Sequence, residues 1–137
     1  MQMNHIEKIG KRRTILVLIS VLIVSLHTIY FYNTVVQELE SKKIIQQLIR
    51  FLLTFGLLIM VYKGKSWARI ISLILFSIGI AGAVVGLITT KQSFILKSPL
   101  IVMLIVYTVA VYHFWFSKSF KAFFNYQNKI DYFENPN

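Results

Sequence analysis

Residues 67–90 read WARIISLILFSIGIAGAVVGLITT, the longest apolar segment of the chain. It contains no charged residue after Arg69 until the chain reaches Lys91. The hydrocarbon core of a bilayer needs roughly 20 apolar residues in helical form. A stretch of this length can cross the bilayer with some tilt, and it therefore predicts a transmembrane helix.

Three further segments are also long and mainly apolar. Together with residues 67–90 they predict an all-α integral membrane protein of four transmembrane helices in an antiparallel bundle, at about 14–32, 44–62, 67–90 and 99–116. The second has polar residues in its first two turns, and it can span the membrane if Arg50 extends its charge towards the nearer interface. The fourth is predicted to begin with Ser98 as its N-cap and Pro99 as its first helical residue.

The composition supports a membrane setting. Of the 137 residues, 56% are hydrophobic and only 15% are charged. A soluble domain of this size could not bury so much apolar surface, so the lipid bilayer is the expected surrounding. The net charge of +10 comes from Lys and Arg lying between apolar runs, which indicates membrane topology and not nucleic-acid binding. Without cysteine, the chain has neither disulfides nor thiolate metal sites.

The basic residues also predict the orientation. An inside N-terminus places ten of them on the cytoplasmic side (Lys8, Lys11, Arg12, Arg13, Lys63, Lys65, Arg69, Lys118, Lys121, Lys129) and five outside (Lys42, Lys43, Arg50, Lys91, Lys97). Both termini are therefore expected in the cytoplasm: a basic segment at 1–13 and an aromatic and basic tail at 117–137. In that tail Phe120, Phe123 and Phe124 share a helical face, so we expect its first turns to lie along the inner membrane surface.

A short basic turn joins the second and third spans. Gly64 can adopt the left-handed conformation that ends a helix, so these spans should form a tight antiparallel hairpin. The segment YKGKSWAR at 62–69 resembles the Gly-Lys-x-Trp-Ala-Arg turn of many small bacterial membrane proteins of unassigned function. This resemblance implies a bacterial cytoplasmic membrane and no particular activity. Trp67, Arg69 and Trp115 are expected to be interfacial anchors.

Small residues line the middle of the third span at Gly79, Gly82, Ala83 and Gly86. Gly82 and Gly86 form a GxxxG pair, and Gly79 with Ala83 repeats the spacing. Because small residues four apart leave room for another backbone, this stripe predicts a helix-packing surface. The spacing leaves three partners open: the chain's own bundle, a second copy in a homo-oligomer, or another membrane protein.

Polar residues near the outer ends of the first two spans form a candidate site (His27, Glu38, Glu40, Gln46, Gln47, Arg50). An ionisable side chain within the membrane suggests a functional site, because burying its charge there requires an interaction partner. Arg50 could pair with Glu38 or Glu40, and His27 could add a proton-sensitive group. Alternatively, Arg50 only reaches interfacial water and the glutamates are solvated.

Catalytic and cofactor sites are not predicted. Glu38 and Glu40 are the only acidic pair near the membrane, and residues two apart on a helix point in different directions. The chain lacks the GxSxG, phosphate-loop and HExxH motifs. His27 and His113 should lie at opposite membrane faces, so they cannot share a metal ion, and His113 is expected in the interfacial aromatic belt.

These patterns predict a non-enzymatic bacterial inner-membrane protein that acts by contact with another membrane component. Immunity proteins and accessory subunits of larger complexes work in this way. One alternative is a small oligomeric channel, pore-former or transporter subunit in which Arg50, Gln46 and Gln47 line a water-filled path. A further alternative is a lipid-modifying enzyme that uses Glu38, Glu40 and His27 at the outer leaflet.

Overall fold

Five helices make up the regular structure in the described part of the chain, which a computed structural model gives as residues 2–35, 41–89, 91 and 93–134. They are α1 (His5–Val35), α2 (Ser41–Tyr62), α3 (Ser66–Thr89), α4 (Phe94–Phe116) and α5 (Lys118–Glu134). The first four are long and apolar enough to cross a membrane. The predicted all-helical class with four candidate spans is thereby confirmed.

The four long helices pack in chain order around a ring, with α1 also touching α4. Thr14, in the first half of α1, contacts His113, near the end of α4. The connection between α2 and α3 is a tight turn in which Gly64 has a φ of +81°. A side chain at that φ would be strained, which explains the glycine and confirms its predicted left-handed conformation.

Several helix boundaries differ from the sequence-based ones. Helix α1 begins at His5, well before Thr14, because a helix can continue through basic residues that the hydrocarbon core would exclude. Its start is capped by Asn4, whose backbone N–H donates to Glu7 Oε2 at 2.6 Å.

Helix α4 also begins earlier than its apolar run suggests. Its N-cap is Ser93, not Ser98, and Pro99 lies inside the helix. Proline at this position cannot donate a hydrogen bond to the carbonyl of Ile95, yet the helix continues through it. The prediction of Pro99 as the first helical residue was therefore wrong.

Helix α5 closes one end of the bundle, where it lies against α1 and the α2–α3 turn. Phe120 and Phe123 are completely buried and Phe124 is nearly so. The shared face that we expected along the membrane surface is instead packed against the protein itself. The physical reason is that the bundle offers this face aromatic and glycine contacts, so it need not be covered by lipid.

The surface that receives α5 combines two glycines with aromatic rings, and we call it the α5 seat (Gly10, Tyr62, Gly64, Arg69, Phe114). A side-chain carbon added at Gly10 would overlap the backbone carbonyl of Ser119. One added at Gly64 would lie 2.7 Å from the backbone nitrogen of Asn128. Both glycines therefore permit backbone contact with α5 that no larger residue would allow.

Candidate functional site

Gln46, Gln47 and Arg50 lie on the first half of α2 and form the α2 polar face. Gln46 and Arg50 are exposed, whereas Gln47 is half-buried. The Oε1 atom of Gln47 is inaccessible to solvent and accepts no hydrogen bond from the described residues. A buried polar atom without a partner costs free energy, so this side chain has hydrogen-bonding capacity that the described chain does not use.

Arg50 is the charged member of the α2 polar face, and its side chain is exposed. Its backbone carbonyl accepts a hydrogen bond of 2.9 Å from the Thr54 hydroxyl, one turn further along α2. Among the described residues no carboxylate forms an ion pair with Arg50. The predicted pairing with Glu38 or Glu40 lies outside the described residues.

The α2 polar face is accessible because this half of α2 packs loosely. Of the described α2 side chains, Leu58 and Val61 alone are buried, and both lie in the half that leads to the α5 seat. Apolar side chains before them are more than half exposed (Leu48, Ile49, Leu52, Leu53). In a membrane this surface faces lipid or another protein, with the amides and the guanidinium beside it.

His27 is separate from these groups. Its exposed side chain stacks on Phe31 of the same helix, with ring centroids 6.3 Å apart. The structure gives no contact between His27 and the α2 polar face within the described residues. Of the predicted cluster, Gln46, Gln47 and Arg50 lie together on α2 and His27 lies apart from them, while Glu38 and Glu40 lie outside the described residues.

The small-residue stripe of α3 divides between two surfaces. Ala83 is completely buried, and a side-chain carbon at Gly79 would lie 2.7 Å from the Tyr107 ring of α4. Gly86 likewise faces Leu100 of α4. A carbon added at Gly82 would meet nothing within 4 Å among the described residues. Gly79 and Gly86 thus face α4, Ala83 is buried, and Gly82 faces outward.

The three predicted interfacial anchors have different surroundings. Trp67 and Trp115 are each more than half exposed, as lipid-facing aromatic residues would be. Arg69 is half-buried, with its guanidinium carbon 5.3 Å from the centre of the Phe124 ring. That distance is typical of a cation–π contact. Arg69 therefore also stabilises the docking of α5.

His113 is the polar residue whose surroundings the sequence least suggests. It is buried, and its Nε2 lies 3.1 Å from the hydroxyl oxygen of Thr14. Because the Thr14 hydroxyl donates its hydrogen to the Gly10 carbonyl, Nε2 of His113 must be the donor in this pair. The expectation of an interfacial histidine was wrong. His113 lies three residues after Ala110, which is also buried, so the two side chains share the inward face of α4.

The chemistry offered by this arrangement is recognition by hydrogen bonds. In the described ranges no three His, Cys, Asp or Glu side chains gather closely enough to hold a metal ion. The α2 polar face instead presents amide and guanidinium donors, which bind carboxylates, carbonyls or phosphates. It also presents the apolar side chains that another transmembrane helix could contact.

Comparison with known proteins yields no relative. None of the protein-family models matches the chain, and neither a curated protein nor a solved structure is significantly similar to it. The case for a function therefore rests on the geometry of the chain itself.

Proposed function

We propose that this chain is a small non-enzymatic protein of the bacterial inner membrane that acts by contact with another membrane component. The α2 polar face is the proposed contact surface. The observation that carries the proposal is the exposure of Arg50 and Gln46 on a helix whose flanking side chains are apolar and exposed. A partner helix that supplies acceptor groups would accept hydrogen bonds from Arg50 and Gln46. The same helix would cover the apolar surface beside them.

The physical case concerns the cost of leaving polar donors in lipid. Charged groups within a bilayer are costly, and they are found against protein, water or one another. Arg50 has no ion pair with a carboxylate among the described residues. Gln47 retains an unused acceptor. Contact with a second protein, or with a second copy of this chain, would give the exposed guanidinium of Arg50 a hydrogen-bonding partner.

The proposal includes an orientation with both termini in the cytoplasm, supported by the ten-to-five distribution of basic residues. The absence of native cysteine makes single-cysteine labelling direct. In intact cells an impermeant thiol reagent should label Lys91→Cys and leave Lys63→Cys unlabelled. The reverse pattern would contradict this orientation.

Site-specific photocrosslinking tests the contact surface. Benzoylphenylalanine at Leu53, an exposed α2 residue near Arg50, should give a discrete protein adduct in cells of the native host. The matched control is Ile74, an exposed residue of α3. The Leu53 adduct should weaken when Arg50 is also changed to Gln. Adducts with lipid alone at Leu53, or equal protein adducts at both positions, would contradict the proposal.

A channel is the competing function, because Gln46, Gln47 and Arg50 on one face of α2 could line a path for water in an oligomer. Proteoliposomes distinguish the two. We expect vesicles containing the purified protein to retain ions as well as protein-free vesicles do. An ion flux that is abolished by Arg50→Gln would instead support the channel.

A further inference from the structure

The outward face of the first part of α1 carries an open groove of about 430 Å³. Its lining combines three cations with three apolar side chains (Met3, Lys8, Lys11, Arg12, Ile15, Leu16). At 3.6 residues per turn, this face is opposite to the one on which Gly10 and Thr14 are buried in the bundle. The groove is therefore open to the surroundings of the protein.

The lining changes character along the helix axis. Lys8 and Lys11 come first, Arg12 is one turn after Lys8, and Ile15 and Leu16 follow a turn later. In the membrane this arrangement sets the cations at the interface and the apolar residues in the hydrocarbon. A phospholipid has the same gradation, from a charged phosphate to an acyl chain. The groove and a lipid thus match in both charge and polarity.

The three cations are not neutralised within the described chain. Glu7 is the nearest carboxylate in sequence, but its Oε2 accepts the backbone N–H of Asn4 at the helix cap. Among the described residues no carboxylate forms an ion pair with any cation of the groove. The positive charge is therefore available to an external anion, and a lipid phosphate is the anion that also brings an apolar chain.

We propose that this groove binds one anionic phospholipid. Its phosphate lies among Lys8, Lys11 and Arg12, and the start of an acyl chain lies against Ile15 and Leu16. The site is on the opposite side of α1 from the bundle, and it does not depend on the proposed contact through α2. The site holds one lipid molecule in a defined position. Basic loops in general attract anionic lipids without such a position.

Native mass spectrometry of the detergent-purified protein tests the site with defined probes. These are phosphatidylglycerol, phosphatidylcholine with the same acyl chains, and inorganic phosphate. We expect a single tightly bound phosphatidylglycerol, weak binding of phosphatidylcholine and no displacement by inorganic phosphate at equal concentration. Displacement by phosphate would show a simple anion site and overturn the lipid assignment.

The charge requirement is tested with two triple variants. Lys8→Gln/Lys11→Gln/Arg12→Gln should weaken phosphatidylglycerol binding roughly a hundred-fold, because each cation near an anionic headgroup contributes about fivefold. The matched control changes three exposed lysines of α5 to Gln (Lys118, Lys121, Lys129). It removes the same charge and should leave the affinity within about twofold. Equal losses in both variants would mean diffuse attraction and would overturn the site.

The acyl-chain contact is tested separately. Leu16→Ser removes an exposed apolar side chain from the groove and should weaken phosphatidylglycerol binding several-fold. Leu53→Ser makes the same change on the exposed surface of α2 and should have no effect. Because both side chains are exposed, both variants should keep the wild-type fold, which their thermal unfolding will verify. Equal binding by the two variants would contradict the proposed acyl-chain position.

Discussion

The α5 seat and the α2 polar face belong to the same small bundle but are built differently. At the seat, Phe114, Phe120 and Phe123 are completely buried. On α2, burial among the described side chains begins only at Leu58. A closely packed region tolerates few substitutions. A helix with few contacts inside the bundle leaves its polar side chains available to other molecules. The difference separates a region that maintains the fold from the exposed surface that we propose as the contact site for a partner.

The largest effect should come from removing an aromatic ring of α5 that packs on the α5 seat. Phe120 packs against Phe114 at 5.1 Å and against His113 at 5.3 Å between ring centroids. Phe120→Ala should lower the free energy of unfolding by about 3–5 kcal/mol, because it leaves a cavity. Leu53→Ala, at a side chain 69% exposed, should change it by less than about 0.5 kcal/mol. Unfolding in mixed micelles measures both, and similar losses would remove the proposed difference between the regions.

Gly10→Ala should have the next largest effect. The new methyl group would overlap the Ser119 carbonyl, so α5 would have to move, at a cost of about 1–3 kcal/mol. The control is Gly56→Ala on α2, where nothing lies within 4 Å among the described residues. That change should be neutral or slightly stabilising, because alanine favours helix. Protease cleavage within α5 should accelerate for the first variant alone.

The glycines of α3 give a smaller, matched contrast. Gly79→Ala places a methyl group against the Tyr107 ring and should cost about 1–2 kcal/mol. Gly82→Ala meets open space and should leave monomer stability unchanged. If Gly82 serves a second copy of the chain, light scattering of the purified variant will show a change in oligomeric state. A stability loss at Gly82 equal to that at Gly79 would contradict the outward orientation.

Arg50→Gln should have only a small effect on stability, below about 1 kcal/mol, because the side chain is exposed and has no described ion pair. Its effect on the Leu53 photocrosslink should nonetheless be the largest among the polar residues. A scan of Gln46, Gln47, Arg50, His27 and His113 measures this. Full crosslinking by every Arg50 variant would show that the contact surface does not depend on the α2 polar face.

The sequence predicts the spans because hydrophobicity is a local property of each segment. It also predicts the Gly64 turn, since one residue type meets that backbone requirement. The pairing of Thr14 with His113 could not be predicted, because it joins residues 99 positions apart. The spacing of the α3 glycines indicated a packing stripe. The position of α4 is needed to see that Gly79 faces the bundle and Gly82 does not.

The contact of α5 with Gly10 has a consequence for the order in which the bundle assembles. Helix α1 is synthesised well before α5, whose backbone it must contact. Contacts between such distant parts of a chain form late and slowly. Until α5 has been made, the surface around Gly10 lacks the helix that covers it. During that interval the newly made bundle is open to misassembly at this surface.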